Sequence, residues 1–229
     1  MNKRVDFDEY TDNYNALLKE GTGFFTSSDE YFAKYKVEIV HKKMQGKAVN
    51  SILEYGCGIG RNIPYLQQLF PNAVVKGSDI SPASIEIAKR DMPTVDFFLE
   101  KEDLRLEEKF ELIFVAGVFH HIPLDQRLSV AKELKNRLTP NGMLFVFEHN
   151  PYNPVTRKIV NNCPYDEDAV LLKPSELRNT LLNAGLTTKQ QGYCLFIPPK
   201  LSQLAWLETK LEWLPLGGQY WVQAFSTSI

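Results

Sequence analysis

The sequence predicts an α/β protein built on a doubly wound, mostly parallel sheet with helices on both faces. Three observations carry this. Strand-length apolar runs alternate with helix-length amphipathic segments between residues 51 and 147. A glycine loop joins the first strand to the first helix of that series. Acidic residues recur just past successive strands, where an open α/β sheet binds its ligand. The 229 residues suffice for one large domain with a full core. We expect a single domain over 1–229, with a helical cap at 1–45, a ligand-binding core at 46–150 and a substrate-side region at 151–229.

The elements follow in order. The first 45 residues are polar and aromatic-rich, with Tyr10, Tyr14, Phe24, Phe25, Tyr31, Phe32 and Tyr35, and read as short helices joined by a loop at Gly21–Gly23. Ser51–Glu54 is a short strand that ends at glycines. Gly60–Phe70 is helical, with Ile63, Leu66 and Leu69 at spacing three. Val74–Ser78 is the second strand. Ser81 is an N-cap followed by Pro82 at the first helical position, opening a helix to about Arg90. Val95–Leu99 and Leu112–Ala116 are the third and fourth strands, and Gln126–Arg137 a helix. A turn at Pro140-Asn141-Gly142 leads into Met143–Phe147, apolar throughout as a strand covered on both faces should be. His149–Pro174, broken by four prolines, reads as a long loop. Leu177, Leu181, Leu182 and Ala184 mark a helix ended by Gly185. Thr187–Tyr193 and Tyr220–Ser226 read as closing strands around an insertion, Phe196–Gly218.

Composition narrows the function. Hydrophobic residues make up 44% and charged residues 24%, ordinary for a globular protein. The net charge is −2 and no long Lys/Arg run occurs, so no footprint for a nucleic-acid backbone is present. The three cysteines, Cys57, Cys163 and Cys194, form neither a disulfide framework nor a CxxC zinc motif, which fits a reducing, cytoplasmic setting. The N-terminus lacks a signal-peptide core, and no apolar run reaches the roughly 18–20 residues of a membrane span.

The central motif is Glu54-Tyr55-Gly56-Cys57-Gly58-Ile59-Gly60-Arg61. Glycines let the backbone turn sharply and approach a ligand. Dinucleotide loops read GxGxxG/A around a pyrophosphate. Here the last small residue is replaced by Arg61, and Glu54 precedes the glycines. An acid at that place repels a pyrophosphate and suits a ligand bearing an ammonium group, such as the amino-acid end of S-adenosylmethionine (SAM). Asp79-Ile80 follows the second strand, about 20 residues on, where a carboxylate can accept both ribose hydroxyls. Asp103-Leu104 follows the third, where an acid can accept the adenine amino group and a leucine can flank the ring. Taken singly, these are glycine turns, a helix-capping aspartate and a solvated acid; their order at successive strand ends is what points to a nucleoside ligand.

These motifs, with Phe110–Val115 and Leu138–Leu144, resemble those of class I SAM-dependent methyltransferases, in particular the subgroup of ubiquinone- and menaquinone-type methylases. The resemblance covers about residues 45–150. It implies a Rossmann-like seven-stranded sheet whose last strand is antiparallel, SAM as cofactor and S-adenosylhomocysteine as product. It also implies a cofactor site of Glu54, Gly56, Cys57, Gly58, Gly60, Asp79, Ile80, Asp103, Leu104 and Ala116. Glu111 stands where the family usually has aspartate. The N-terminal segment resembles the family's cap over SAM, with Tyr14 as a contact.

Methyl transfer needs an aligned nucleophile and a dry site. A hydroxyl acceptor also benefits from a general base, most often histidine. His120, in Phe119-His120-His121, and His149, after Glu148, follow the two strands nearest the expected methyl position; either can be the base, or both can simply line the pocket and orient the acceptor. His41 reads as structural or exposed. Asp166-Glu167-Asp168 reads as a solvated acidic run, and no metal is expected. Arg157 and Lys158 read as a solvated pair that a substrate phosphate or carboxylate could use. In the insertion, Leu201, Leu204, Leu207, Leu211 and Leu214 form a core-facing stripe on a helical wheel, while Trp206 and Trp213 share another face. Tryptophans off the core either pack under the N-terminal segment or meet an apolar, lipid-linked acceptor, a second subunit or a membrane surface. A small-molecule or lipid-linked acceptor is therefore expected, with O-methylation favoured. Nucleic acid is not, since the Pro-Pro-aromatic tetrad of N-methylases is replaced by Ala116-Gly117-Val118-Phe119 and the Pro-Cys of cytosine C5 enzymes is absent. A non-catalytic SAM-binding regulator and a nicotinamide-dependent oxidoreductase are the alternatives; SAM binding without NAD binding separates the second, and turnover the first.

Overall fold

The computed structural model describes residues 30–44, 46–100 and 107–226. The chain order is α1 (Glu30–Lys43), β1 (Ser51–Tyr55), α2 (Ile63–Leu69), β2 (Val74–Asp79), α3 (Pro82–Asp91), β3 (Asp96–Leu99), β4 (Phe110–Ala116), α4 (Arg127–Asn136), β5 (Leu138–His149), α5 (Pro154–Asn161), α6 (Pro174–Asn183), β6 (Thr187–Cys194), α7 (Leu207–Leu211) and β7 (Gln219–Phe225). The strands make one seven-stranded sheet in the order β3-β2-β1-β4-β5-β7-β6. Neighbours from β3 to β5 pair in parallel, whereas β7 pairs antiparallel with both β5 and β6. This is the doubly wound sheet with one reversed strand that the sequence predicts.

The period of two along each strand divides the core into two layers. Ile52, Leu112, Phe114, Phe145, Phe147 and Trp221 face α1, α2 and α3. Leu53, Ile113, Val115, Leu144, Val146 and Val222 face α4 and α6. The central residues of β4 and β5 are buried on both faces, which is why those strands read as unbroken apolar runs. Ser81 caps α3 as expected, its side chain accepting from Ser84 N. The strand switch point lies between β1 and β4, so their carboxyl ends open the crevice where such a sheet binds its ligand.

Three expectations change. The turn at residues 140–142 lies within β5, where Asn141 takes a φ of 62° and the register with β4 shifts by a bulge. The presumed loop after β5 contains α5, because Pro154 is a first-turn proline and not a breaker: Asn153 Oδ1 accepts from Val155 N and Thr156 N. The insertion is not one amphipathic helix. A 3₁₀ segment, Pro199–Leu204, is broken at Leu201, and α7 has only five residues. Leu201 and Leu204 are therefore exposed, Leu207, Leu211 and Leu214 only half-buried, and the buried residue of α7 is Glu208. Among the described residues no helix is long and apolar enough to cross a membrane.

Candidate active site

The site starts where β1 stops. Gly56 and Gly58 adopt φ of 70° and 52°, a region that costs other residues free energy. A side chain at Gly56 would also collide with Val118, which places the β1 loop against the segment after β4. At Gly58 a Cβ would meet nothing within 4 Å, so the loop there borders open space. Gly56 N and Cys57 N donate to Ser78 O, at 2.8 and 2.9 Å, and tie the loop to the end of β2. Cys57 is buried, and burial pushes its thiol well above the usual range, which leaves it unreactive. Gly60 is buried where the loop turns toward α2.

Two acids flank this loop. Asp79 accepts from Gly58 N at 2.7 Å and Ser81 N at 2.9 Å, so its carboxylate is held at the mouth of the loop. Ile80 beside it is exposed, and Ala116 at the end of β4 is half-buried. Glu54 is 1% exposed. Its Oε1 accepts from Asn62 Nδ2, while its Oε2 has no hydrogen-bond partner among the described residues. Burial pushes its carboxyl up to about 8. Lys36 of α1 acts electrostatically on both Glu54 and His149, and burial lowers its amine to about 8. Tyr14, Asp103 and Leu104 lie outside the described residues.

The second half of the site lies past β4 and β5. Phe119–His121 forms a 3₁₀ turn. Glu148, buried near the end of β5, holds that turn: Oε1 accepts from Val118 N and Phe119 N, and Oε2 faces His120 Nδ1 at 2.6 Å. His120 Nε2 faces Asp166 Oδ1 at 3.5 Å. Burial disfavours the charged ring, but Glu148 and Asp166 outweigh it and push His120 up to about 9. His149 has the opposite environment. It is half-buried, its ring centroid lies 5.0 Å from that of His120, and burial together with the His120 charge pushes it down to about 4. Of the two candidate bases, His149 is thus the neutral one at physiological pH.

The acidic run is not solvated as a unit. Asp166 is buried against His120 and His121, and Asp168 Oδ1 faces His121 Nδ1 at 3.2 Å. Arg157 and Lys158 are exposed, and so is His41. Sequence reasoning missed Glu148, Asn62, Lys36 and the role of Asp166. Glu148 had a local signal, an acid at a strand end, but Asp166 is 45 residues from His121 and only the fold joins them.

Residues 52–142 match the family model described as a methyltransferase domain. Malonyl-[acyl-carrier protein] O-methyltransferase 1 of Ilyobacter polytropus is 39% identical over 82 residues, 34% of this chain and 31% of that protein. Demethylmenaquinone methyltransferase of Chlorobaculum parvum is 29% identical over 161 residues, 67% of this chain and 62% of that protein. The chain thus spans less than two thirds of these relatives' own length. The crystal structure of magnesium protoporphyrin IX methyltransferase from Synechocystis, with bound S-adenosylhomocysteine, superimposes with a TM-score of 0.63 at 18% identity, covering 96% of this chain and 97% of that one. These matches make residues 52–142 a methyltransferase domain and, with the fold, indicate a class I SAM-dependent methyltransferase, for which SAM is the cofactor.

The residues present fit that cofactor. Glu54 Oε2 is a buried carboxylate oxygen with no donor among the described residues, which suits a cationic group, and the open side of Gly58 adjoins it along the loop.

Proposed function

We propose that this protein transfers a methyl group from SAM to an oxygen of a small-molecule or lipid-linked acceptor. The observation that carries the reading is the unpartnered buried Glu54 carboxylate at the glycine loop, with neutral His149 two strands away at the end of β5. When bound, SAM supplies an electrophilic methyl on a sulfonium. Glu54 would hold its ammonium group, Asp79 its ribose hydroxyls, and the backbone of Gly56, Cys57, Gly58 and Gly60 would line its path, with Ile80 and Ala116 at its sides. By sequence position, Tyr14, Asp103 and Leu104 would complete the enclosure. His149 would take the proton of an acceptor hydroxyl at its free ring nitrogen. His120, flanked by carboxylates on both ring nitrogens, would orient this wall without acting as the base.

The names of the relatives, a malonyl-[acyl-carrier protein] O-methyltransferase and a demethylmenaquinone methyltransferase, support a carrier-linked or lipid-linked acceptor. So do Trp206 and Trp213, 57% and 75% exposed beside exposed Leu201, Leu204 and Leu216, a set suited to an apolar substrate tail or a membrane surface. The test is incubation with methyl-labelled SAM and a cell extract, followed by phase partition. Label in the organic phase is expected. His149→Ala should lower the rate about 10²–10⁴-fold, and Gly58→Arg should abolish it. Label confined to the aqueous phase would overturn the lipid-linked acceptor, and no label in either phase would overturn the enzyme reading in favour of a silent SAM binder.

A further inference from the structure

His120, His121 and Asp166 converge in a way that the methyl-transfer reading does not require. His120 Nε2 and His121 Nε2 both face Asp166 Oδ1, at 3.5 and 3.2 Å, and this oxygen is buried without a hydrogen bond of good geometry among the described residues. The three ligand atoms all lie within 4.8 Å of one another. We propose that these three side chains form a binding site for a divalent cation of the zinc class.

Three features support a built site over a chance cluster. First, each imidazole is backed by its own carboxylate: Glu148 Oε2 faces His120 Nδ1 at 2.6 Å, and Asp168 Oδ1 faces His121 Nδ1 at 3.2 Å. A carboxylate on the far nitrogen fixes the tautomer and turns the Nε2 lone pair toward a metal, the usual outer shell of a metal-bound histidine. Two such pairs, aimed at one point, bring two ring nitrogens and a carboxylate oxygen together, and a cation bound there would replace the proton that His120 shares with Asp166. Second, the spacing suits a tetrahedral ion. With metal–ligand bonds of about 2.0–2.2 Å, two tetrahedral ligands stand roughly 3.3–3.6 Å apart, whereas neighbouring ligands of an octahedral ion stand roughly 2.8–3.1 Å apart. The observed 3.5 Å falls in the tetrahedral range and 3.2 Å midway between the two, and both are longer than a charge-assisted hydrogen bond of about 2.7–2.9 Å. Third, the donors are sequestered. His120 and Asp166 are 2% and 6% exposed, and His121 is half-buried, offering the ion a way in. Two imidazoles and one carboxylate are a donor set that selects zinc over magnesium or calcium, and three protein ligands leave one position for water or a substrate oxygen. The sequence hid this site because its third ligand lies in the presumed solvated run.

The experiment reads metal, not turnover, so its result is independent of the methyl-transfer reading. Full-length protein is stripped with a chelator, loaded with zinc, desalted and assayed for bound metal, with binding followed by calorimetry. Wild type should retain one zinc per chain. Asp166→Asn should weaken zinc binding about 100-fold or more, and Asp168→Asn, at the far nitrogen of His121, about tenfold. Far-UV circular dichroism reports whether each variant folds. Cobalt loading of the wild type needs no variant and should give the strong visible absorption of a tetrahedral site. Absence of retained zinc, a weak octahedral cobalt spectrum, or a folded Asp166→Asn protein that binds zinc as well as the wild type would each overturn the proposal.

Discussion

Glu54, when ionised, carries a cost in the free protein that a cationic ligand would relieve. It is buried, one of its oxygens has no donor among the described residues, and its carboxyl is pushed from 4.5 to about 8. A raised folded value means that folding favours the protonated acid. Its contribution to stability is therefore complete below the unfolded value and is lost as pH climbs toward 8. Glu54→Gln keeps the shape and removes the titration. At pH 8 it should raise the stability of the ligand-free protein by on the order of 2 kcal/mol, or roughly 4–8 °C in Tm. At pH 4.5 it should change Tm little, and thermal scans at the two pH values check both. His120 and His149 teach a related lesson. In sequence they are equivalent strand-end histidines, and only the carboxylates packed around His120 and the burial of His149 separate a charged ring from a neutral one.

At the scale of elements, the insertion is held by polar contacts where a leucine stripe was expected. Glu208 of α7 accepts from Phe196 N at 2.9 Å, Ile197 N at 2.8 Å and Tyr35 Oη at 2.9 Å. Lys43 of α1 pairs with Glu212 at 3.0 Å. One buried acid thus ties α1 to the insertion beyond β6. Glu208→Ala would orphan three donors and should destabilise the protein by about 2–3 kcal/mol, more than Tyr35→Phe, in urea unfolding. The elements around the glycine loop were legible because each has a local cause: a period of two, an N-cap serine, a first-turn proline. The insertion was not, because a 100° wheel presumes one continuous helix, whereas the chain breaks at Leu201 and again between Leu204 and Leu207. Helix α5 was missed for the reverse reason, since Pro154 reads as a breaker until Asn153 is seen capping it.

At the scale of the molecule, the sheet order brings residues from distant segments to one edge. Glu54 near the end of β1, Asp79 at the end of β2 and His149 at the end of β5 share one edge because β1 sits between β2 and β4, and β5 beside β4. The cofactor half of this edge was readable from the chain, since each acid sits at the end of its own strand. The histidine–carboxylate cluster was not, since Glu148 and Asp166 meet His120 only through the fold. The central claim is that the edge binds SAM through Glu54. The most direct measurement is calorimetric titration of SAM into wild type and Glu54→Gln at pH 7, in two buffers of different ionisation enthalpy, with NAD as the competing ligand. Wild type should bind SAM one to one and release protons as Glu54 ionises against the ammonium group, Glu54→Gln should bind at least about tenfold more weakly without that release, and NAD should not bind. SAM binding to Glu54→Gln with unchanged affinity and proton count, or binding of NAD in place of SAM, would contradict the account.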